Sequence, residues 1–334
     1  MRINFSRSIV FYMYGRKSPK SAEFMFFENL CEKTLFICMY HNYVIYLQCP
    51  IILLYCKFMI QLKEANFGYK HRGSVLEDVN LEIQPGRFYG LIGGNGEGKT
   101  TLLNILCGQQ FLQSGICRVF GEDPVCRSAE LLEKLFILPE KVLLPDITAM
   151  EYIRIYAPYY PTFSEEILQE CIRLFYINPS SRLSRLSEGQ QKKVAITLAL
   201  SVHTPLLLMD EPTNGLDISS KRIFRKILAS FSGGTQTVVI STHLVSDLEN
   251  LIDDVIILHN KEVLLNKSLS EIGDKLYFRL IEHNEPVMFQ IKTPFGVMGV
   301  GENTCGEVTP VSLELLFNVA TQYPDEMKRI FKDK

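Results

Sequence analysis

The sequence predicts an α/β fold in which helices cover both faces of a mainly parallel sheet. Residues 205–210 and 237–240 form apolar runs with the length of buried strands, and stretches long enough for helices precede them. Strands that alternate with helices in this way are typical of parallel sheets. The chain has 334 residues, of which 47% are hydrophobic, so it can build one large core or two small ones.

Composition narrows the possible function classes. The net charge of −2 gives no electrostatic attraction to nucleic acid or to anionic lipid, so we predict no nucleic-acid partner. Nine cysteines occur without a C-x-x-C pair. This pattern predicts reduced thiols in the cytosol rather than a disulfide framework.

A phosphate-binding motif follows a predicted strand at residues 87–92. Residues 93–100 fit G-x-x-x-x-G-K-[ST], and residues 100–106 are predicted to form the helix that this motif needs. Glycines let backbone N–H groups close around phosphate oxygens, and the helix N-terminus adds unpaired donors. We expect Lys99 to reach the β- and γ-phosphates and the Thr100 hydroxyl to bind Mg²⁺. The candidate nucleotide-binding residues of this segment are Gly93, Gly94, Asn95, Gly96, Glu97, Gly98, Lys99, Thr100 and Thr101.

Two carboxylates end the apolar run at residues 205–210. Asp210 would hold Mg²⁺ directly or through water, and Glu211 would accept a proton from a water that attacks the γ-phosphate. Two carboxylates after a strand are also compatible with a simple turn. The phosphate loop upstream favours the catalytic interpretation.

The order and spacing of further motifs resemble those of the ATP-binding subunits of ABC (ATP-binding cassette) transporters, from about residue 59 to residue 265. Residues 186–190 are similar to the LSGGQ signature of that family, residues 214–217 to its D-loop, and residues 241–243 to the segment of its switch histidine. Tyr69 stands where the family places an aromatic ring that stacks on adenine. The neighbouring Phe67 is an alternative for that role.

The resemblance implies a P-loop NTPase fold with an N-terminal antiparallel β subdomain and a helical subdomain inserted at about residues 127–190. It implies an ATPase that dimerises around two Mg-ATP, as a homo- or heterodimer. Ser187, Gly189 and Gln190 would then bind the γ-phosphate held by the opposite subunit. His243 would hydrogen-bond the γ-phosphate, so Glu211 and His243 are the candidate catalytic residues.

Two residues depart from the family pattern. Glu188 replaces the first glycine of the signature; it suits the start of a helix but adds negative charge near phosphate, so we expect it to point away. Glu140 stands where the family usually has glutamine, in a loop that touches both Mg²⁺ and the membrane subunit. A glutamate oxygen can still bind Mg²⁺, so the candidate metal ligands are Thr100, Asp210 and Glu140.

We expect an ATP-binding domain at residues 59–268, with a helical subdomain inside it, and an accessory region at residues 269–334. Capping boxes at residues 148–151, 162–165 and 187–190 predict three helix starts. A short helix is predicted around residues 244–251. In the accessory region we expect strands at 276–280 and 287–291 and a helix at 313–331, and we assign it no chemistry.

Residues 1–58 differ from the rest of the chain. They hold four of the nine cysteines and six of the fifteen tyrosines, and they lack helical periodicity. One interpretation is upstream sequence read from a misplaced start codon, or a dispensable extension. The other is a membrane anchor, because residues 34–56 contain no charged side chain. Polar residues and a proline interrupt that stretch and favour the first interpretation.

The predicted function is that of an ATPase at the cytoplasmic face of the plasma (inner) membrane that drives a separate polytopic permease, most similar to export subunits for drugs or antibiotics. The alternative is a soluble ABC-type ATPase of translation or DNA repair. Translation factors of this kind carry two cassettes, and repair proteins carry long heptad coils that this sequence lacks. A third alternative is a phosphoryl-transfer kinase, which would have no need for the signature segment at residues 187–190.

Overall fold

The computed structural model describes residues 58–70, 73–231, 236–247, 251–281, 287–294 and 296–332, and the backbone of four strands before them. The chain divides into two compact units, Met1–Met59 and Ile60–Lys334.

The first unit contains four described strands, which are β1 (Val10–Tyr14), β2 (Ala22–Phe24), β3 (Phe36–Tyr40) and β4 (Tyr43–Gln48). Antiparallel pairing joins them in the order β1-β4-β3-β2. The remainder of residues 1–57 lies outside the described residues. The two interpretations of this segment therefore stay predictions.

The second unit alternates strands and helices. Its strands are β5 (Ile60–Tyr69), β6 (Gly73–Ile83), β7 (Phe88–Ile92), β8 (Ser114–Val119), β9 (Leu135–Leu138), β10 (Leu206–Asp210), β11 (Thr237–Thr242), β12 (Asp254–His259), β13 (Glu262–Ser268), β14 (Leu276–Ile281), β15 (Phe289–Thr293) and β16 (Gly296–Glu302). Its helices are α1 (Lys99–Leu106), α2 (Ala129–Lys134), α3 (Ala149–Tyr156), α4 (Glu165–Phe175), α5 (Glu188–Ser201), α6 (Ile218–Phe231), α7 (Leu269–Lys275), α8 (Leu313–Gln322) and α9 (Pro324–Phe331).

A six-stranded sheet in the order β13-β12-β7-β11-β10-β9 forms the centre of this unit. All neighbours pair in parallel except β12 and β13, which form an antiparallel hairpin. Every residue of β10 and β11 is buried, which explains why residues 206–209 and 238–240 form continuous apolar runs instead of alternating. The predicted α/β class with a mainly parallel sheet is confirmed.

The predicted antiparallel β subdomain is also present. Strand β5 pairs with β6 on one side and with β8 on the other, in a three-stranded antiparallel sheet. The register shifts after Leu62 in the pairing with β6 and after Lys63 in the pairing with β8, and such an irregularity bends a strand.

The helical subdomain is built from α3, α4 and α5, which share a small apolar cluster of their own. Its buried members are Ala149, Tyr152, Ile153, Leu168, Leu183, Val194, Leu198 and Val202. The expected helical stretch at 127–190 is interrupted, because β9 pairs with β10 as the edge strand of the central sheet. The sequence analysis did not predict this strand.

Helix starts follow the expected capping chemistry with one exception. Thr148 and Ser187 both form capping boxes at the starts of α3 and α5. The predicted box at residues 162–165 is wrong, since Ser164 caps α4 by accepting from the Ile167 N–H. Thr162 Oγ1 instead donates to the Val202 carbonyl at 2.7 Å, so the segment before α4 is bonded to the end of α5.

The accessory region packs onto the central sheet. Strands β14, β16 and β15 form an antiparallel sheet, and Leu316 and Val319 of α8 join the same buried cluster as Val255 and Ile257 of β12. The expected single helix at 313–331 is two helices, because Pro324 begins a new one. Around 244–251 only a 3₁₀ turn, Val245–Asp247, lies among the described residues. Among those residues, no helix is both long enough and apolar enough to cross a membrane.

Candidate active site

Polar side chains gather at one edge of the central sheet. Strands β7, β9, β10, β11 and β12 are parallel, so their carboxyl ends meet at that edge. The phosphate loop follows β7, Glu211 follows β10 and His243 follows β11. Ligand sites of open parallel sheets form at this edge, next to the point where the strand order reverses.

Strand β7 leads into the phosphate loop, and close packing against β12 fixes the loop's first residue. A Cβ on Gly93 would lie 2.7 Å from the Leu258 carbonyl oxygen, so the backbones approach closer than any side chain allows. Gly98, at the start of α1, has φ +101°, a conformation that favours glycine. Both positions therefore require glycine, which is the residue that the motif has there.

Lys99 is the first residue of α1, directly after the last glycine of the loop, and 6% of its surface is exposed. Its Nζ donates to the Gly93 carbonyl at 2.8 Å and to the Gly94 carbonyl at 3.0 Å, and lies 3.8 Å from Glu211 Oε1. Burial lowers the pKa of Lys99, and nearby carboxylates, that of Glu211 foremost, oppose this effect. A buried ammonium that is held only by carbonyls and a carboxylate is suited to binding an anion.

Asp210 lies at the end of β10 with both carboxylate oxygens bonded. Thr100 Oγ1 donates to Asp210 Oδ2 at 2.6 Å, and Ser241 Oγ donates to Asp210 Oδ1. A hydroxyl and a carboxylate in contact match the oxygen ligands that Mg²⁺ prefers. The described residues contain no group of three His, Cys, Asp or Glu side chains that could hold a metal. Mg²⁺ at this point would therefore need phosphate oxygens or water as further ligands, as is usual for this ion.

Glu211 and His243 contact each other at the ends of β10 and β11. The distance between His243 Nδ1 and Glu211 Oε1 is 2.8 Å, and the Glu211 side chain is 8% exposed. The other carboxylate oxygen, Oε2, is buried and has no hydrogen-bond partner among the described residues. Glu211 also has φ +43°, an uncommon conformation for this residue type. An unpartnered carboxylate oxygen in strained backbone is a candidate proton acceptor.

Tyr69 lies at the end of β5 and is 37% exposed. Its hydroxyl is 3.2 Å from Thr101 Oγ1 on α1, and its ring packs edge-on against Phe67 with centroids 5.0 Å apart. Phe67 is 5% exposed, which makes it a core residue. Of the two rings, Tyr69 is the one accessible to a base.

The signature segment begins α5. The Ser187 side chain accepts from the Gln190 N–H, and Gln190 Oε1 accepts from the Ser187 N–H, so the two side chains cap the helix reciprocally. Gly189 lies against the D-loop, since a Cβ there would be 2.9 Å from the Gly215 carbonyl oxygen. Glu188, Ser187 and Gln190 are exposed.

Glu140 is exposed in the loop after β9. Its carbonyl accepts from Lys192 Nζ at 2.7 Å, and the Pro139 carbonyl accepts from the same ammonium at 3.3 Å. Lys192 belongs to α5 and is 5% exposed, and burial lowers its pKa while Glu140 opposes this. The ammonium joins the signature helix to the Glu140 loop, a link that the sequence analysis did not predict.

Three other residues were missed by the sequence analysis. Asp247 Oδ2 accepts from Thr213 Oγ1 at 2.6 Å and from Lys221 Nζ at 2.7 Å. Thr213 follows Glu211 by two residues and Asp247 follows His243 by four, so this cluster ties together the segments of the two candidate catalytic residues. These side chains belong to none of the motifs described above. The one signal in the sequence is that Thr213 and Asp247 lie a few residues after Glu211 and His243.

Comparisons with known proteins agree with this geometry. Residues 76–214 match a family described as ABC transporter. The chain is 32% identical over 227 residues to the ABC transporter ATP-binding protein NatA of Bacillus subtilis (strain 168), covering 64% of this chain and 91% of that protein. It is 28% identical over 221 residues to the bacitracin transport ATP-binding protein BcrA of Bacillus licheniformis, covering 64% of this chain and 72% of that protein.

A solved structure titled "Structure of ATP binding subunit of ABC transporter" matches with a TM-score of 0.58 and 27% identity. The match covers 64% of this chain and 91% of that one. These relatives support the transporter ATPase over the soluble ATPase of translation or DNA repair. The chain belongs to the ABC transporter ATP-binding proteins, and it binds and hydrolyses ATP in a reaction coupled to transport.

Proposed function

We propose that this subunit hydrolyses ATP at the edge of the central sheet, between two copies of the chain, and drives export through a separate permease. The observation that carries the proposal is that four residues lie together at this edge, which are Lys99, Asp210, Glu211 and His243. Glu211 lies next to both Lys99 and His243, and Asp210 accepts a hydrogen bond from Thr100, the residue after Lys99. Each of these residue types is needed for attack of water on a γ-phosphate.

Within one subunit, the phosphate loop would bind the triphosphate through backbone N–H groups of residues 93–101 and through the Lys99 ammonium. Lys99 would exchange its bonds to the Gly93 and Gly94 carbonyls for phosphate oxygens. Tyr69 would stack on adenine from the end of β5. Thr100, Asp210 and Glu140 would hold Mg²⁺, which would supply charge neutralisation for the phosphates.

Glu211 would accept a proton from the attacking water through its free Oε2. His243 holds the other oxygen of the same carboxylate, so it positions Glu211 until a γ-phosphate offers a competing acceptor. The switch between these two partners of His243 would report whether the γ-phosphate is present.

Ser187, Gly189 and Gln190 would bind the γ-phosphate of a second copy. They lie at the N-terminus of α5, with Ser187 and Gln190 exposed and Gly189 half-buried, where unpaired N–H groups and the helix dipole favour an anion. A homo- or heterodimer that encloses two nucleotides would place this terminus opposite the phosphate loop of the partner.

The permease would dock on a groove between the central sheet and the helical subdomain. A cavity of 830 Å³ opens there beside the Glu140 loop, and its lining includes Phe136, Tyr152 and Tyr160. Leu143 is 97% exposed and Tyr159 is 69% exposed on its rim. Exposed apolar side chains around a concave apolar surface are typical of a protein interface.

Export is proposed because the relatives include a protein named for bacitracin transport. A permease partner would place the subunit at the cytoplasmic face of the plasma membrane. The transported molecule would be selected by the permease.

The docking proposal can be tested with the full chain and the polytopic membrane protein that co-purifies with it from native membranes. Leu143→Asp and Tyr159→Asp should abolish co-purification with that permease and leave nucleotide binding unchanged. Val308→Asp is the matched control, since Val308 is 100% exposed but lies in the accessory region. Retention of the permease by both groove variants would contradict the docking surface, and failure of the wild type to bind any membrane protein would contradict the transport role.

A further inference from the structure

The phosphate loop of this chain contains a carboxylate. Between Gly93 and Gly98, Glu97 is the charged residue, and the other positions are glycine or asparagine. A phosphate loop binds anions through its N–H groups and its lysine, so a negative charge inside it opposes its function. Glu97 lies close enough to Lys99 to raise the pKa of that lysine against the effect of burial.

The Glu97 side chain is folded back toward β12. Its Cβ is 3.5 Å from the position that a Cβ on Gly93 would take, and its Cγ is 3.5 Å from the corresponding position on Gly94. Glu97 Oε1 lies 3.2 Å from Nδ1 of His259, the last residue of β12. Both side chains are 22% exposed, so neither is fixed by deep burial.

Strand β12 therefore holds the loop at two points. The Leu258 carbonyl packs against Gly93, and the adjacent His259 bonds to Glu97. The first contact positions the backbone of the loop. The second positions its carboxylate, which is the negative charge within the loop itself.

We propose that His259 is a positioning residue that keeps the Glu97 carboxylate turned away from the bound nucleotide. The imidazole donates from Nδ1 to the carboxylate and holds it on the β12 side of the loop. Without His259 the glutamate is free to rotate toward the phosphates and to repel them. This inference rests on the proposed assignment of residues 93–100 to the triphosphate.

A role for His259 in loop folding alone predicts a different response. If His259 only fastened the loop through its bond to Glu97, Glu97→Ala would weaken binding as much as His259→Ala does. If it acts by restraining a charge, His259→Ala weakens binding while Glu97→Ala does not, and His259→Ala has no further effect once that charge is gone. A double-mutant cycle that includes both single variants separates these two roles.

The experiment is calorimetric titration of the full chain with Mg-ADP, which the ATPase cannot hydrolyse. His259→Ala should weaken binding about three- to fivefold, the effect of a unit charge near the surface. Glu97→Ala and Glu97→Gln should bind at least as tightly as the wild type. The double variant Glu97→Ala/His259→Ala should bind like Glu97→Ala.

Equal loss of affinity from His259→Ala in both backgrounds would overturn the proposal, as would weaker binding by Glu97→Ala or by Glu97→Gln. Lys99→Ala in the same titration tests the underlying assignment independently. If Lys99→Ala binds Mg-ADP like the wild type, the loop assignment fails. If Lys99→Ala weakens binding and His259→Ala does not, the role of His259 fails alone.

Discussion

Replacing Asp254 by asparagine should change how the stability of this protein depends on pH. Asp254 begins β12, beside the strand that feeds the phosphate loop, and its side chain is 7% exposed. Arg87 Nη1 donates to Asp254 Oδ1 at 2.8 Å, whereas Oδ2 is buried without a hydrogen-bond partner among the described residues. Burial raises the pKa of Asp254 from 3.8 to about 6, and Arg87 opposes the shift.

The size of the effect follows from that shift. The carboxyl group prefers to be protonated in the folded state, so the folded protein binds more protons than the unfolded chain between pH 3.8 and about 6. Stability therefore falls as the pH rises through this window. A shift of about two pKa units, at 1.36 kcal/mol each, gives a loss of at most about 3 kcal/mol that is complete above about pH 7.

Urea unfolding of wild type and Asp254→Asn at half-unit steps from pH 4 to pH 8 measures this loss. The difference in unfolding free energy should move in favour of the variant by about 2–3 kcal/mol as the pH rises to 7. A pH-independent effect of the amide on the unfolding free energy is the same at every pH, so it does not alter this change. Arg87→Met should steepen the wild-type decline, because it removes the cation that opposes the shift. A pH-independent difference between wild type and Asp254→Asn would refute the assignment of a raised pKa to this carboxyl group.

Three further changes should have defined effects. Asp247→Ala leaves the buried Thr213 hydroxyl and the Lys221 ammonium unpaired, and we expect a loss of roughly 2 kcal/mol in urea unfolding together with a lower kcat for ATP hydrolysis; unchanged stability and kcat would contradict this. Gly115→Ala should destabilise by at least about 2 kcal/mol, because φ is +92° and the new Cβ would lie 2.3 Å from the Glu64 carbonyl oxygen. The matched change Gly121→Ala, at φ +80° with open space around it, should lose only about 1 kcal/mol, and equal losses would show that the clash at Gly115 is relieved. Lys99→Ala should weaken ATP binding at least tenfold, about the effect of one charge-assisted hydrogen bond, and equal affinity would exclude Lys99 from phosphate binding.

Local patterns were enough to predict the parts of the fold that carry the site. Residues 206–209 of β10 and 238–240 of β11 form continuous apolar runs because both faces of the sheet are covered, and these runs are visible in the sequence. The capping boxes at Thr148 and Ser187 need only residues three positions apart, so they too could be read locally. The phosphate loop combines a buried strand with a motif of closely spaced residues, so it could be predicted in the same way.

Features that depend on distant residues could not be predicted in this way. Strand β9 is four residues long and follows a helix directly, and so short an apolar run does not distinguish strand from helix. The side chains of Thr162 and Ser164 can both cap a helix. Ser164 is the cap in the structure, because a helix that starts there buries Ile167 and Leu168.

The side-chain contacts of the site are equally non-local. The hydrogen bonds from Ser241 to Asp210 and from Thr213 to Asp247 each join residues more than thirty positions apart. His259 and Glu97 are 162 positions apart, and only the parallel pairing of β12 with β7 brings them together. Such pairs appear once the strand order is known.

The proposed function requires that ATP is enclosed between the phosphate loop of one copy and the Ser187-capped helix of another. Sedimentation of Glu211→Gln, which should bind ATP without hydrolysing it, tests this directly. With Mg-ATP the variant should sediment as a dimer, and adding Gly189→Glu to it should return the monomer while ATP binding persists. A chain that binds Mg-ATP in this variant but stays monomeric at saturating nucleotide would contradict the claim.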